Sequence, residues 1–392
     1  AFFAAAPAGD PLAARIGTVV NLEARGGGGR AIMFQASPGN GALVELFRDV
    51  VRQPAANSLA VSIYERLPNS TDFTEALARG VRGYNFAPIG DARLYHSPLA
   101  TPDHVDPRAL QHLGSQALDL TRALLAADAL PEPAPDVVFS DVLGLATIAH
   151  APWVGWALLL VATGLLAFVA RACRNAWTAR GPAVAAGHGL GALALAALAL
   201  TAVNALSRGP DASDYYDRLA ALPRLEGQAL LVVLAVLVAT VAGWRRDGLD
   251  RWLGLAVLTL ALAVAVQALL PGGSPFFTWP LLLATAAMAL GAFARHRHGA
   301  GPTAVIAAAA GVGLARLAAL GHFALLSIGS GLPAVLVVLL LPAWLLLAPL
   351  LPRAHRGLWW VALALLLAAV AVALWVRLDP LAPTVPVYSE SR

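Results

Sequence analysis
The sequence predicts an α/β domain followed by an all-α transmembrane bundle of about eight helices. Three observations carry this. The 392 residues are 58% hydrophobic and only 13% charged, with a mean hydropathy of +0.69, where ordinary soluble domains are about 45–50% apolar and about 25% charged. The apolar excess is confined to the second part, a series of long runs separated by short loops. Charge divides at the same place: residues 1–150 hold 11 Arg against 15 Asp and Glu, a net of −4, and residues 151–392 hold 16 Arg against 8, a net of +8. This composition excludes a disordered chain. The single cysteine excludes a disulfide framework or a Cys-based zinc site. Despite a pI near 9.7, no basic run with interleaved aromatics points to nucleic acid.

In chain order, Ala1–Ala6 is apolar, too short to span, and lacks a basic flank, so it reads as the end of a helix that begins upstream rather than as a signal peptide. Ile16–Leu22 is a β-branched run, and Arg30–Ala36 is a second strand candidate. Ser37-Pro38-Gly39-Asn40-Gly41 is a turn opening a helix through Arg52. Ser58–Tyr64 is a third strand candidate. Asp72 stands at an N-cap position before a helix over Phe73–Arg79. Val81–Ile89 is a further strand, leading to a loop with Tyr95 and His96. Asp106 to about Ala127 is an amphipathic helix. Strands alternating with helices imply a mixed sheet, with functional groups at strand ends. Glu23 and His96 both follow strands. The expected organisation is a domain over 1–130, a linker over 131–150, membrane spans over 151–377 and a tail over 378–392.

Candidate spans are 152–170, 183–206, 228–244, 252–270, 276–294, 302–322, 331–351 and 357–376. Gly321, Ser327, Gly329, Ser330 and Gly331 break the pattern around 320–333, and Pro333, Pro342, Pro349 and Pro352 predict late kinks. The loops after the odd-numbered spans carry ten arginines, among them Arg171, Arg245, Arg295 and Arg353; the alternate loops and tail carry five. The arginine-rich side is expected to face the cytoplasm, placing residues 1–150 on the opposite side. Arg316 falls inside an apolar run with His322 just beyond it. It is either a functional intramembrane charge or an arginine snorkelling to the interface. Asn204 and Gln267 are expected to make interhelical hydrogen bonds.

Five motifs occur in order: Asn21-Leu22-Glu23-Ala24-Arg25-Gly26, Ser37-Pro38-Gly39-Asn40-Gly41, Pro68-Asn69-Ser70-Thr71-Asp72-Phe73, Gly83-Tyr84-Asn85-Phe86 and Tyr95-His96-Ser97-Pro98. Together they resemble the C-terminal half of a di-zinc exopeptidase of the aminopeptidase Y type (peptidase family M28-like). The resemblance is closest to members fused to a multi-span membrane region, the vacuolar membrane proteases and endoplasmic-reticulum metallopeptidases. It covers residues 1–130 by motif and the rest by architecture only. It implies part of a zinc-exopeptidase α/β/α sandwich holding two zinc ions, a peptide substrate, and a multi-pass protein in the lipid bilayer, with a bacterial inner membrane and a periplasmic domain as the expected setting.

By that resemblance Glu23 and His96 are ligands to one zinc, while Asp72 and Tyr95 lie near the substrate. Carboxylate oxygen and imidazole nitrogen are the donors zinc takes, and a metal pair can polarise a scissile carbonyl and activate water. The sequence also departs from the family. The His-x-Asp pair, the bridging Asp and the Glu-Glu pair with its general base do not occur in residues 1–130 and are expected upstream, so residues 1–392 alone are expected to be inactive. Where the family has an acid four residues after the ligand His, this chain has Ala100. Asp103 could replace it or simply cap a helix. The alternative is a non-catalytic membrane protein, a scaffold or transporter, with a degenerate peptidase-like domain.

Overall fold
The computed structural model describes residues 2–5, 10–67, 69–95, 97–208, 215–244, 248–293, 301–328, 331, 333–351 and 355–379. Of the residues singled out by sequence, Pro68, His96, Arg245, Arg295, Gly329, Ser330, Pro352, Arg353 and the tail beyond 379 lie outside this set. The described residues form two compact units, one built on the residues up to Val154 with Leu270–Pro275, the other on Gly155–Leu269 and the described residues from Phe276 to Asp379.

The first unit contains α1 (Phe2–Ala5), β1 (Thr18–Leu22), β2 (Gly28–Ala36), α2 (Gly41–Val50), α3 (Ser58–Tyr64), α4 (Asp72–Ala78), β3 (Arg82–Gly90), α5 (Pro107–Ala126), β4 (Val138–Val142) and β5 (Ala146–His150). The mixed sheet has the order β1-β3-β2, with β1 parallel and β2 antiparallel to β3. Phe47, Leu43 and Val44 of α2, Leu120 of α5, and Met33, Tyr84 and Phe86 of the sheet are fully buried in one core. Apolar spacing on α2 and α5 sets this face.

Three sequence expectations change here. Ser58–Tyr64 is a helix, not a strand. Asn57 caps it, its side chain accepting from Ala60 N–H at 2.8 Å, and a seven-residue apolar run is short enough for either periodicity to fit. The cap of α4 is Thr71, one residue before Asp72, with Thr71 N–H donating to Thr74 Oγ1 at 3.0 Å. Asp72 is the first helical residue, where its charge complements the helix dipole. The segment 131–150, read as a linker, contains the antiparallel hairpin β4–β5. Residues 55–57 join it to the main sheet: Met33 N–H donates to Ala55 O, and Asp141 N–H to Ala56 O, both at 2.8 Å. Phe139 of this hairpin is buried in the core.

β2 is an edge strand, and an open edge invites pairing with other chains. α5 closes this edge at Ala31. Its Gln116 donates to Ala31 O at 2.9 Å, and its His112 Nδ1 accepts from Ala31 N–H at 3.1 Å.

The second unit is helical: α6 (Pro152–Ala172), α7 (Gly181–Leu206), α8 (Tyr215–Ala220), α9 (Leu222–Gly243), α10 (Gly248–Leu269), α11 (Pro275–Phe293), α12 (Gly301–Ile328), α13 (Leu340–Leu347) and α14 (Leu358–Leu378). Among the described residues seven helices, all but α8 and α13, are long and apolar enough to cross a membrane. The eighth expected span, 331–351, is instead a 3-10 turn over Pro333–Leu339 running into the eight-residue α13. Pro333 and Pro342 remove backbone donors that a continuous helix needs. The expected break at Gly321 and Ser327 is absent, because α12 runs through both.

Close helix contacts use small residues. A Cβ on Gly254 of α10 would lie 2.6 Å from Pro182 O and 2.7 Å from Ala185 Cβ on α7. Asn204 of α7 accepts from Arg218 at 2.5 Å, and Gln267 of α10 lies against Gly155 of α6. Outward-facing Trp153 and Trp156 open α6, and Trp359 and Trp360 open α14, the distribution expected at a membrane interface.

Candidate functional site
Glu23 directly follows β1, and the chain stays beside β3: Glu23 N–H donates to Phe86 O at 2.7 Å and Arg25 N–H to Pro88 O at 3.1 Å. The glycines after Arg25 let two backbones touch. A Cβ on Gly90, at the end of β3, would lie 2.8 Å from the carbonyl of Gly28. Glu23 is thereby held beside the C-terminal half of β3, where strand-end groups collect in such sheets. Its side chain is half-buried, and Oε1 accepts from Asn21 Nδ2 at 2.9 Å.

Past β3, Asp91 takes a left-handed conformation (φ 51°) and starts the 3-10 turn Ala92–Leu94. Tyr95 comes next, and the Arg25 guanidinium lies over its ring at 5.2 Å. This contact links the segment after β3 to the one after β1. His96 is outside the described residues, but both neighbours are anchored: Tyr95 N–H donates to Ala92 O at 3.1 Å and Ser97 N–H to Leu94 O at 3.2 Å. Ser97 is fully buried. Asp72 is exposed at the start of α4. Asp103 is exposed on the 3-10 turn Pro102–His104, and the cap of α5 is Asp106.

Tyr64, at the C-terminal end of α3, falls in the segment that alternates like a strand and has no signal of its own. Its ring packs edge-on against Phe34 at 4.7 Å. Burial raises the phenol above its ordinary value. Thr71 opposes that shift, and the charges of Glu23 and Tyr95 add to it. Such proximity across residues 23, 64, 71 and 95 has no sequence signal, since each residue lies on a different element.

Among the described residues no three His, Cys, Asp or Glu side chains gather into a metal-sized cluster. What the described residues supply is one carboxylate with one oxygen hydrogen-bonded, which fits a single ligand position. Arg316 is buried among the helices of the second unit. It is 8% exposed, with its guanidinium over the rings of Trp279 at 4.3 Å and Phe276 at 4.9 Å on α11. Cation–π contact of this kind compensates part of the cost of burying the charge.

Residues 1–121 match peptidase family M28. A putative endoplasmic reticulum metallopeptidase 1-A of Caenorhabditis elegans is 33% identical over 151 residues, 36% of this chain and 17% of the relative. Human endoplasmic reticulum metallopeptidase 1 is 31% identical over 152 residues, 37% of this chain and 17% of the relative. A vacuolar membrane protease of Eremothecium gossypii is 30% identical over 137 residues, 34% of this chain and 13% of the relative. The matches thus span less than a fifth of these relatives' length. No solved structure matches the chain significantly. The N-terminal third is therefore similar in sequence to peptidase family M28, and in particular to endoplasmic reticulum metallopeptidases and vacuolar membrane proteases, and among the described residues it precedes seven helices long and apolar enough to cross a membrane.

Proposed function
We propose that the chain is part of a membrane-anchored zinc exopeptidase that removes residues from peptide N-termini, with Glu23 and His96 holding one of two zinc ions. The observation that carries this reading is the placement of Glu23. It sits at the end of a strand parallel to β3, one carboxylate oxygen already hydrogen-bonded, in a region matched by a peptidase family. When bound, zinc supplies Lewis-acid polarisation of a peptide carbonyl. The chain's own residues do the rest of what is assigned here. Glu23 and His96 bind, the Arg25–Tyr95 contact holds the His96 segment beside the Glu23 segment, and Asp72 with Tyr95 meets the substrate's N-terminal end. The arginine-rich loops support an orientation with the peptidase-like domain on the non-cytoplasmic side, the periplasm in a bacterial cell.

In the full natural chain, Glu23→Ala and His96→Ala are each expected to abolish peptide hydrolysis and lower zinc content. Full activity in either variant overturns the assignment. It would favour the reading of a scaffold or transporter that retains a degenerate peptidase-like domain.

A further inference from the structure
A row of amide side chains crosses the main sheet in register. Asn21 of β1 pairs with Asn85 of β3, and Asn85 pairs with Gln35 of β2. Asn85 is fully buried and Gln35 nearly so. Asn21 Nδ2 donates to Glu23 Oε1 and to Asn85 Oδ1, both at 2.9 Å. Asn85 Nδ2 donates to Gln35 Oε1 at 3.1 Å and to Thr71 Oγ1 at 2.8 Å. An amide carries two N–H donors, so both hydrogens of Asn21 and both of Asn85 are used.

The row has a direction. Rotating the Asn85 amide by half a turn would set its NH2 against the NH2 of Asn21 and its oxygen against that of Gln35, two repulsive contacts in a buried site. Asn85 therefore fixes which way Asn21 faces, and Asn21 in turn holds one oxygen of Glu23. The other end of the row is Thr71, the cap of α4, the helix that begins with Asp72.

We propose that Asn85 is a positioning residue for Glu23, acting through Asn21. It keeps Glu23 Oε1 engaged so that the carboxylate offers its second oxygen in one orientation to a divalent cation, and it ties that orientation to the substrate-side helix α4. This inference rests on the reading of Glu23 as a metal ligand. Groups that hydrogen-bond a metal ligand orient it, and losing them costs about 10–100-fold in metal affinity.

The test compares three substitutions in the full natural chain: Asn85→Leu, Asn85→Asp and Glu23→Ala. Zinc affinity is measured by competition with a chromophoric chelator, and the visible absorption of the Co2+-loaded protein reports ligand geometry. Leu fills the volume of Asn85 but cannot hold Asn21. Asp still accepts from Asn21, and the Thr71 hydroxyl and Gln35 amide can turn to donate to it. Asn85→Leu is expected to weaken zinc binding about 10–100-fold and to alter the Co2+ spectrum, while Asn85→Asp stays close to the parent in both. A residue that only fills the core predicts the reverse order, with the buried charge of Asp the more harmful, and that result overturns the proposal. Parent-like affinity in Asn85→Leu together with weakened binding in Glu23→Ala also overturns it while leaving the ligand reading intact. Parent-like affinity in Glu23→Ala removes the ligand reading and this inference with it. If Asn85→Leu does not fold, Asn21→Ser, at a half-buried position, removes the same donor from Glu23 and is expected to weaken zinc binding likewise.

Discussion

Gln116→Leu is expected to open the edge of the sheet. Gln116 is fully buried on α5 and serves two backbone groups on separate segments. Its Nε2 donates to Ala31 O at 2.9 Å, and its Oε1 accepts from Ala55 N–H at 3.2 Å. Ala31 and Ala55 are themselves buried, so water does not replace the lost partner. Leucine keeps the volume and strands one carbonyl and one N–H. A buried polar group left unpaired costs about 1–3 kcal/mol, so the pair costs about 2–4 kcal/mol once leucine's added apolar burial is set against it. Domain stabilities are about 5–15 kcal/mol, so the domain stays folded but opens more often. Because the chain has two units, one global unfolding free energy is poorly defined. Amide hydrogen exchange of the full protein in detergent reads the local effect. Peptides over residues 28–36 and 53–57 are expected to exchange about 30- to 1000-fold faster, while α7 and α10 stay unchanged. Parent-like exchange in both peptides would refute the claim that this side chain closes the edge.

The pH dependence of the same region has a defined sign. His112 Nδ1 accepts from Ala31 N–H and Nε2 donates to Gln53 O at 3.0 Å, so the fold needs the neutral ring. Burial, and then the nearby Arg30 charge, lower its pKa below the ordinary 6.5, with Gln53 O and Asp141 opposing. The unfolded chain therefore takes up the proton first, so the stabilisation is complete above about pH 6.5 and is lost as pH falls below it. Exchange in residues 28–36 is expected to accelerate between pH 7 and 5.5 after correction for intrinsic rates, and a flat profile contradicts this. In the membrane unit, Gly254→Leu is expected to force α10 away from α7 and to destabilise by about 1–3 kcal/mol. A detergent melt checks this, and an unchanged midpoint would show that the close approach is unimportant.

Much of the peptidase-like region was legible because its signals are local. β1, β2, β3, α2 and α5 lie where β-branched runs, turn residues and apolar spacing put them. The helix Ser58–Tyr64 was not legible, because its Asn57 cap and its burial pattern compete with an equally good alternation over seven residues. The strands of the hairpin β4–β5 pair with each other, but its attachment to residues 55–57, some 80 positions earlier, has no local signal. Site residues were legible only as types. Glu23, Thr71 and Tyr95 fall within the ordered motifs, whereas Gln35 and Tyr64 carry no signal by themselves.

By itself the sequence determined the division of the chain, since bilayer thickness sets how long an apolar run must be and charge separates the two regimes. It also located the three strands of the main sheet, while adding a strand at Ser58–Tyr64 that is a helix. Only the tertiary structure decided that Arg316 lies over two aromatic rings of α11, that 331–351 is broken rather than a full span, and that Glu23 is reached by a row of amides crossing three strands. Hydrophobicity is additive along a chain and can be read there, but a hydrogen bond between residues 21 and 85 depends on strand register, which exists only once the sheet has formed.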